Sequence, residues 1–210
     1  MLIKKLGHCC LRIEESGAVI LTDPGAWTTA QNDEKGVDVI LITQEHSDHL
    51  EIGSLRVVMA NNPGAIILTN EGVGAILDKE QIQYSLLEDG QQISIKGVVI
   101  NGYGEKHADI YPGVPVIVNT GYMIADKLFY PGDALTVPPV PVEILALPVC
   151  GPWLTIAETL DYAKIVKPKI SFPVHDGMLK VYGPYHGLPE KFLKLDGIKF
   201  IPLKEGEVLR

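Results

Sequence analysis

The stretch that decides the fold is Leu41-Ile-Thr-Gln-Glu-His-Ser-Asp-His49, which closes an apolar, β-branched run beginning at Val37. The run is short and rich in Val and Ile, so it indicates a buried strand rather than a helix. Two imidazoles and a carboxylate, from His46, Asp48 and His49, follow at the carboxyl end of this strand. In α/β folds, ligand sites tend to lie at that end.

These side chains have the chemistry of metal ligands, since imidazole nitrogens and carboxylate oxygens suit Zn, Mn or Fe. In an extended or turning backbone, His46 and Asp48 point one way and His49 another. The cluster could therefore serve two neighbouring ions. The alternative is a helix N-terminus that Ser47 or Asp48 caps, with the histidines in solvent.

Composition predicts one layered domain over residues 1–210, because 46% hydrophobic side chains supply an ample core for 210 residues. A net charge of −8 argues against a nucleic-acid binder, which needs a basic face. The three cysteines, Cys9, Cys10 and Cys150, form neither a disulfide framework nor a metal pattern. We expect them to be small buried side chains in a reducing cytoplasm. With no apolar run near about 18 residues and no visible signal peptide, we expect a cytoplasmic location and no membrane contact.

Strands and helices alternate along the first half of the chain, whereas the second half begins as a strand meander. Strands are predicted over residues 2–6, 10–13, 18–22, 37–42, 65–69, 85–87, 92–95, 98–104, 116–119, 122–125, 127–130, 144–148 and 169–172. Helices are predicted over residues 50–59, 71–79, 156–166 and 190–195. Thr155 and Glu158 have the spacing of a capping box before the third helix.

Other candidate ligands also follow predicted strands. His107, Asp133 and His175 each come after an apolar run, which makes six candidate ligands with His46, Asp48 and His49. Two further residues are candidates for a supporting shell around them: His8, at a strand edge, and Asp23, as a carboxylate that orients a ligand histidine. Asp23 is equally well interpreted as a turn former before Pro24.

The order of these motifs supplies a resemblance over nearly all 210 residues. In sequence they are Gly7-His8, Thr22-Asp23-Pro24, Thr43-x-x-His46-x-Asp48-His49, Gly104-x-x-His107, Pro131-Gly132-Asp133, Leu147-Pro148 and Pro173-x-His175. The chain thereby resembles the metallo-β-lactamase superfamily of metal-dependent hydrolases, and within it the group similar to ascorbate-6-phosphate lactonases. The resemblance implies an α/β fold, a four-layer αββα sandwich, with the site at one edge of the two sheets.

The resemblance also implies two metal positions. The first uses position 44, His46 and His107, the second uses Asp48, His49 and His175, and Asp133 bridges them. This chain departs at Gln44, which replaces the first histidine of the family's HxHxDH motif. An amide oxygen is a weak neutral donor, so we predict a well-occupied second position and a weakened first one.

The resemblance implies hydrolysis of a small ester, lactone or phosphorylated metabolite by a metal-activated water. Asp48 and Asp133 would be the catalytic carboxylates, which hold charge and orient the water. We expect Zn or Mn as cofactor, as one or two ions, with Fe also compatible. A degenerate, non-catalytic metal-binding protein is the alternative that Gln44 supports, and a nuclease or phosphodiesterase is a weaker one. A small-molecule substrate is the expected partner, and a homo-oligomer stays open.

Two aromatic side chains outside the motifs also concern the site. Trp153 is interpreted either as a pocket wall or as core. His186, in Gly-Pro-Tyr-His-Gly, is expected on a flexible surface loop, with substrate contact as the alternative.

Overall fold

The computed structural model describes residues 1–210 and contains two seven-stranded sheets. The first sheet contains β1 (Leu2–Gly7), β2 (Cys10–Glu15), β3 (Ala18–Thr22), β4 (Val39–Leu41), β5 (Ile66–Thr69), β6 (Ser85–Leu86) and β14 (Val208–Leu209). The second contains β7 (Gln92–Ile95), β8 (Val98–Tyr103), β9 (Gly121–Ile124), β10 (Leu128–Tyr130), β11 (Ile144–Pro148), β12 (Ile170–Val174) and β13 (Lys199–Phe200). In the first sheet β14 pairs with β1 and forms the edge strand, so the last strand of the chain lies beside the first.

Four α-helices accompany the sheets: α1 (Ile52–Asn61), α2 (Glu71–Lys79), α3 (Ile156–Val166) and α4 (Gly183–Leu193). Helix α2 begins at the Asn70 cap, whose side chain accepts from the Val73 N–H. Helix α3 begins with the capping box of Thr155 and Glu158, as the sequence predicts. None of these helices combines the length and apolarity that a membrane crossing requires.

Three separate apolar clusters confirm the four-layer arrangement. The cluster between the two sheets includes Ile20, Ile100 and Phe172. A second cluster joins the first sheet to α1 and α2, and a third joins the second sheet to α3 and α4. The central strands of each sheet, such as β4, β9 and β10, are therefore buried on both faces, which explains why they are predicted from apolar runs, whereas the edge strands β6 and β7 are largely exposed.

Parallel pairing brings strand ends to common edges. Strands β3, β4 and β5 run parallel to one another in the first sheet, and β10, β11 and β12 do so in the second. The carboxyl ends of each set therefore open at the same edge of their sheet, where ligand sites of such sheets lie.

One predicted strand is absent, and one predicted helix starts earlier than expected. Residues 116–119 form no strand, because their backbone pairs irregularly with the chain just before it: the His107 N–H donates to the Ile117 carbonyl at 3.0 Å. Helix α4 begins at Gly183, well before the predicted start at residue 190. Pro184 lies in the first turn, where its missing N–H costs nothing. Pro189 lies inside the helix, and because a proline is not expected there, the sequence does not predict a helix that starts at Gly183.

Candidate metal centre

Backbone hydrogen bonds fix the conformation of the loop after β4. The N–H groups of His49 and Leu50 both donate to the His46 carbonyl at 2.9 Å, which turns the chain sharply. The segment after β3 packs against this turn, and the Ala26 N–H donates to the Ser47 carbonyl at 2.8 Å. A Cβ at Gly25 would overlap the Asp48 carbonyl oxygen, so only glycine permits this approach.

The structure brings the six candidate ligands together in two groups. The ligand atoms of Asp48, His49, Asp133 and His175 all lie within 4.8 Å of one another. Those of His46, His107 and Asp133 form a second group by the same measure. The two groups meet at Asp133, which follows β10.

Distances within the groups are short on every side of Asp133. Its Oδ1 lies 3.1 Å from His49 Nε2, and its Oδ2 lies 3.1 Å from His175 Nε2 and 3.3 Å from His107 Nε2. Asp48 Oδ2 lies 3.3 Å from His175 Nε2. Such spacing is suitable for nitrogen and oxygen atoms that share a cation.

Unpartnered polar atoms point to the same chemistry. His49 Nε2, His107 Nε2 and Asp133 Oδ1 are buried and have no hydrogen-bond partner. A buried polar atom without a partner is rare in a folded protein and requires an explanation. A divalent cation of the Zn, Mn or Fe class would satisfy all three, so the donor set fits a metal.

The charge states favour ionised carboxylates. Burial alone would raise the pKa of Asp133, but the charges of His49 and His175 outweigh burial and hold that pKa well below its usual range. Burial likewise opposes ionisation of Asp48, yet hydrogen bonds from His175 and His8 lower its pKa. Both carboxylates are therefore anionic and available as ligands.

Asp23 positions the ring of His49. Its Oδ2 lies 2.7 Å from His49 Nδ1, and it also accepts from the Thr43 hydroxyl at 2.7 Å and from the Tyr130 hydroxyl. An ionised carboxylate only accepts, so Nδ1 of His49 is protonated and held by Asp23, and Nε2, which faces Asp133, is the nitrogen left for a cation. The backbone of Asp23 is left-handed, with a φ of 35°, which the surrounding bonds maintain.

His8 contacts Asp48 from the turn between β1 and β2. Its Nδ1 accepts from the Gly177 N–H at 3.0 Å, which leaves Nε2 as the protonated nitrogen, 3.1 Å from Asp48 Oδ2. The ring therefore donates to Asp48 and orients it. His8 and His175 both have left-handed backbones, with φ values of 48° and 57°.

Gln44 presents its nitrogen, not its oxygen, to the shared carboxylate. Its Oε1 accepts from the His46 N–H at 2.8 Å, and its Nε2 donates to Asp133 Oδ2 at 3.1 Å. The backbone N–H can only donate, so the opposite amide orientation would set two donors against each other. In this arrangement the amide oxygen is already engaged.

Sequence reasoning missed Cys9 at this site. Its Sγ lies within 4.8 Å of ring nitrogens of His8, His49 and His175. Burial would raise the pKa of this thiol, but the three imidazoles outweigh burial and lower its pKa to about 6. Cys9 is buried as expected, in the apolar cluster between the two sheets, but its sulfur also borders three histidines, and only its position next to His8 could have signalled this.

Other supporting residues emerge only from the structure. Asn119 accepts from the Asp133 N–H and donates to the Pro131 carbonyl, both at 2.9 Å, and so holds the turn that carries Asp133. The Trp153 ring is buried and stands edge-on to the rings of His107 and His175, each with centroids 5.7 Å away. Trp153 is thus a wall of the site.

His186 does not lie on a flexible surface loop, because it is buried on α4. Its Nε2 lies 2.9 Å from Asp176 Oδ2. Asp176 also pairs with the buried ammonium of Lys5 at 2.7 Å. This network lies directly behind His175 and anchors the segment that follows it.

A cavity of about 960 Å³ opens beside His107. One cation, Lys106, lines it, together with five carboxylates: Glu71, Glu88, Asp89, Glu105 and Asp109. Of the six candidate ligands only His107 lines this cavity, and its charged walls are mostly acidic.

Comparison with known proteins gives consistent matches along the chain. A family model described as the β-lactamase superfamily domain matches residues 2–175. Protein Rv0786c of Mycobacterium tuberculosis is 31% identical over 194 residues, covering 89% of this chain and 90% of that protein. The UPF0173 metal-dependent hydrolase of Aeropyrum pernix is 27% identical, covering 96% of this chain and 94% of that protein.

Solved structures share the architecture. The crystal structure of a protein assigned as a metal-dependent hydrolase from Parabacteroides distasonis has a TM-score of 0.78 at 25% identity, covering 98% of this chain and 93% of that one. Igni18, a metallo hydrolase from Ignicoccus hospitalis, has the same fold with a TM-score of 0.77 at 18% identity, covering 99% and 97% of the two chains. The ascorbate-6-phosphate lactonase-like subgroup stays a prediction. Because the family model spans most of the chain and the four layers are those of its relatives, the chain belongs to the metallo-β-lactamase superfamily.

Proposed function

We propose that this protein is a metal-dependent hydrolase and that its two ligand groups hold one or two divalent cations. The observation that carries the proposal is the pair of groups that share Asp133, with three buried donor atoms that have no partner within the protein. Relatives named as metal-dependent hydrolases, aligned over 96% and 80% of the chain, support the same activity. Zn and Mn are the cations that we propose, since imidazole and carboxylate donors suit both.

The two groups differ in what they offer. The group of Asp48, His49, Asp133 and His175 has every donor that the family pattern requires. The group of His46 and His107 has Gln44 in place of a third imidazole, with its oxygen engaged by the His46 N–H. We therefore propose that the group of Asp48, His49, Asp133 and His175, which is the second of the two predicted positions, is filled preferentially and that a single-ion centre is the resting form.

When bound, a divalent cation lowers the pKa of a water molecule and polarises a substrate oxygen. Asp48 and Asp133 hold negative charge beside that position and orient the water through hydrogen bonds. Asp23 keeps the proton of His49 on Nδ1, so that Nε2 is free for the cation. Trp153 covers the rings of His107 and His175 and restricts bulk water.

The acidic cavity beside His107 bears on the substrate. Its five carboxylates repel a phosphorylated compound or a nucleic-acid backbone, and the net charge of −8 adds to that repulsion. We therefore propose a small neutral ester or lactone as substrate, ahead of a phosphorylated metabolite. A nuclease is the weakest candidate for the same reason.

The test is hydrolysis by zinc-loaded or manganese-loaded protein of an aryl ester, a simple lactone, an aryl phosphodiester and single-stranded RNA. We expect ester or lactone hydrolysis that is lost in His49→Ala and in Asp133→Asn. Asp196→Asn, a change to an exposed carboxylate far along the chain, is the matched control and should keep the activity. Preferential phosphodiester or RNA cleavage would overturn the substrate class, and bound metal with no hydrolysis would favour the non-catalytic alternative.

A further inference from the structure

We propose that the Cys9 sulfur is an additional ligand of the cation held by His49 and His175, which makes this a centre for thiophilic cations such as Zn²⁺ rather than Mn²⁺. The inference rests on the proposed function and deepens it, because it selects between the two cations that the other donors leave open. No residue pattern in the family resemblance includes Cys9.

The backbone fixes Cys9 in place. It lies in the turn between β1 and β2, directly after the left-handed His8. Its carbonyl accepts from the Thr22 hydroxyl at 2.9 Å and lies 3.2 Å from the Tyr130 hydroxyl, whose single proton it shares with Asp23. Tyr130 also donates to Asp23, so the same network that orients His49 also anchors Cys9.

The sulfur faces the donors of the metal centre. Cys9 Sγ and ring nitrogens of His49 and His175 all lie within 4.8 Å of one another. Independently of the cysteine, His49 Nε2 is fully buried and has no hydrogen-bond partner. The same two histidines belong to the group with Asp48 and Asp133, so one cation could contact sulfur and carboxylate oxygens together.

His8 is not counted among these ligands. Its Nδ1 accepts from the Gly177 N–H and its Nε2 donates to Asp48, so both nitrogens are occupied. The remaining donors are two imidazoles, one sulfur and carboxylate oxygens. A thiolate favours Zn²⁺ and Co²⁺, whereas Mn²⁺ prefers oxygen donors.

The adjacent Cys10 is a matched control within the chain. It is as buried as Cys9 but begins β2 and faces the opposite way, into the apolar cluster between the first sheet and its helices. Burial raises the pKa of the Cys10 thiol well above its usual value. A change at Cys10 therefore removes a thiol of equal burial without touching the metal centre.

The experiment is cobalt substitution followed by absorption spectroscopy. Co²⁺ bound to a thiolate shows a sulfur-to-metal charge-transfer band in the near ultraviolet, whereas nitrogen and oxygen donors alone give only the weaker visible bands. We expect the charge-transfer band in wild type and in Cys10→Ala, and its loss in Cys9→Ala with the visible bands retained. We also expect Cys9→Ala to reduce zinc affinity by tenfold or more relative to manganese affinity.

A measurement on wild type covers the case in which Cys9→Ala fails to fold. Zinc X-ray absorption on the zinc-loaded wild-type chain should show a sulfur neighbour at about 2.3 Å. Visible cobalt bands with no charge-transfer band, or zinc with no sulfur neighbour, would overturn the role of Cys9 and leave the hydrolase centre standing. Absence of any bound cobalt or zinc would instead overturn the proposed function itself.

Discussion

The substitution Asp23→Asn tests whether a residue outside the set of candidate ligands orients the candidate ligand His49. Asp23 is fully buried and accepts from the Thr43 N–H at 2.8 Å, from the Thr43 and Tyr130 hydroxyls, and from His49 Nδ1. Three of these donors meet at its Oδ2. Asparagine keeps the shape but has only one acceptor atom and adds an NH₂ group.

Each of the two orientations of the new amide loses a hydrogen bond that Asp23 makes. If the oxygen replaces Oδ2, the NH₂ faces the Thr43 N–H. If the NH₂ replaces Oδ2, His49 must accept on Nδ1 and move its proton to Nε2, where it opposes a cation. An unsatisfied buried donor costs about 1–3 kcal/mol of stability. Loss of a bond that orients a ligand histidine typically costs about 10–100-fold in metal affinity, or about 1.4–2.8 kcal/mol.

The assay is zinc affinity by chelator competition, together with urea unfolding of the metal-free protein. Tyr130→Phe is the control, because it removes a hydroxyl from the same carboxylate but leaves the His49 bond intact, and the Thr22 hydroxyl still holds the Cys9 carbonyl. We expect Tyr130→Phe to lose about 1 kcal/mol of stability and to bind zinc nearly as wild type does. A folded Asp23→Asn protein with wild-type zinc affinity would refute this reasoning.

Three further predictions concern contacts that do not involve the candidate ligands themselves, and urea unfolding measures each. Thr155→Ala removes the cap of α3 and should cost about 1 kcal/mol. Asp176→Asn leaves the buried Lys5 ammonium, now 2.7 Å from Asp176, without its partner and should cost about 3–5 kcal/mol. The hydrogen bond from Lys127 lowers the pKa of Glu15. That pair therefore stabilises the fold above the unfolded-state pKa of about 4.3, and its contribution is lost as pH falls through the lower folded-state pKa. Glu15→Gln should thus cost up to about 1 kcal/mol near neutral pH and nothing in strong acid. Unchanged stability in any of these variants would contradict the corresponding contact.

The layers of the fold were predictable because the central strands, such as β4 and β10, are buried on both faces and so appear as continuous apolar runs. The motif after β4 and the strand-end positions of His107, Asp133 and His175 were enough to predict the superfamily. Helix α4 was concealed by Pro184 and Pro189, since a helix is not expected across two prolines.

The surroundings of the site were harder to predict, because they consist of residues that are distant in sequence and meet only in the folded chain. The approach of Cys9 to His49 depends on a left-handed backbone at His8, which nothing in the local sequence requires. The replacement at Gln44 was visible in the sequence, whereas the engagement of its oxygen by the His46 N–H was not. The ligand roles themselves stay predictions.

The central claim is that two ligand groups exist and that Gln44 weakens one of them. It is tested most directly by the metal content per chain, measured by elemental analysis on protein purified without chelator, for wild type and for Gln44→His. We predict close to one ion per chain in wild type, rising towards two in Gln44→His. Close to two ions in both proteins would contradict the weakened position, and no metal in either would contradict the metal centre.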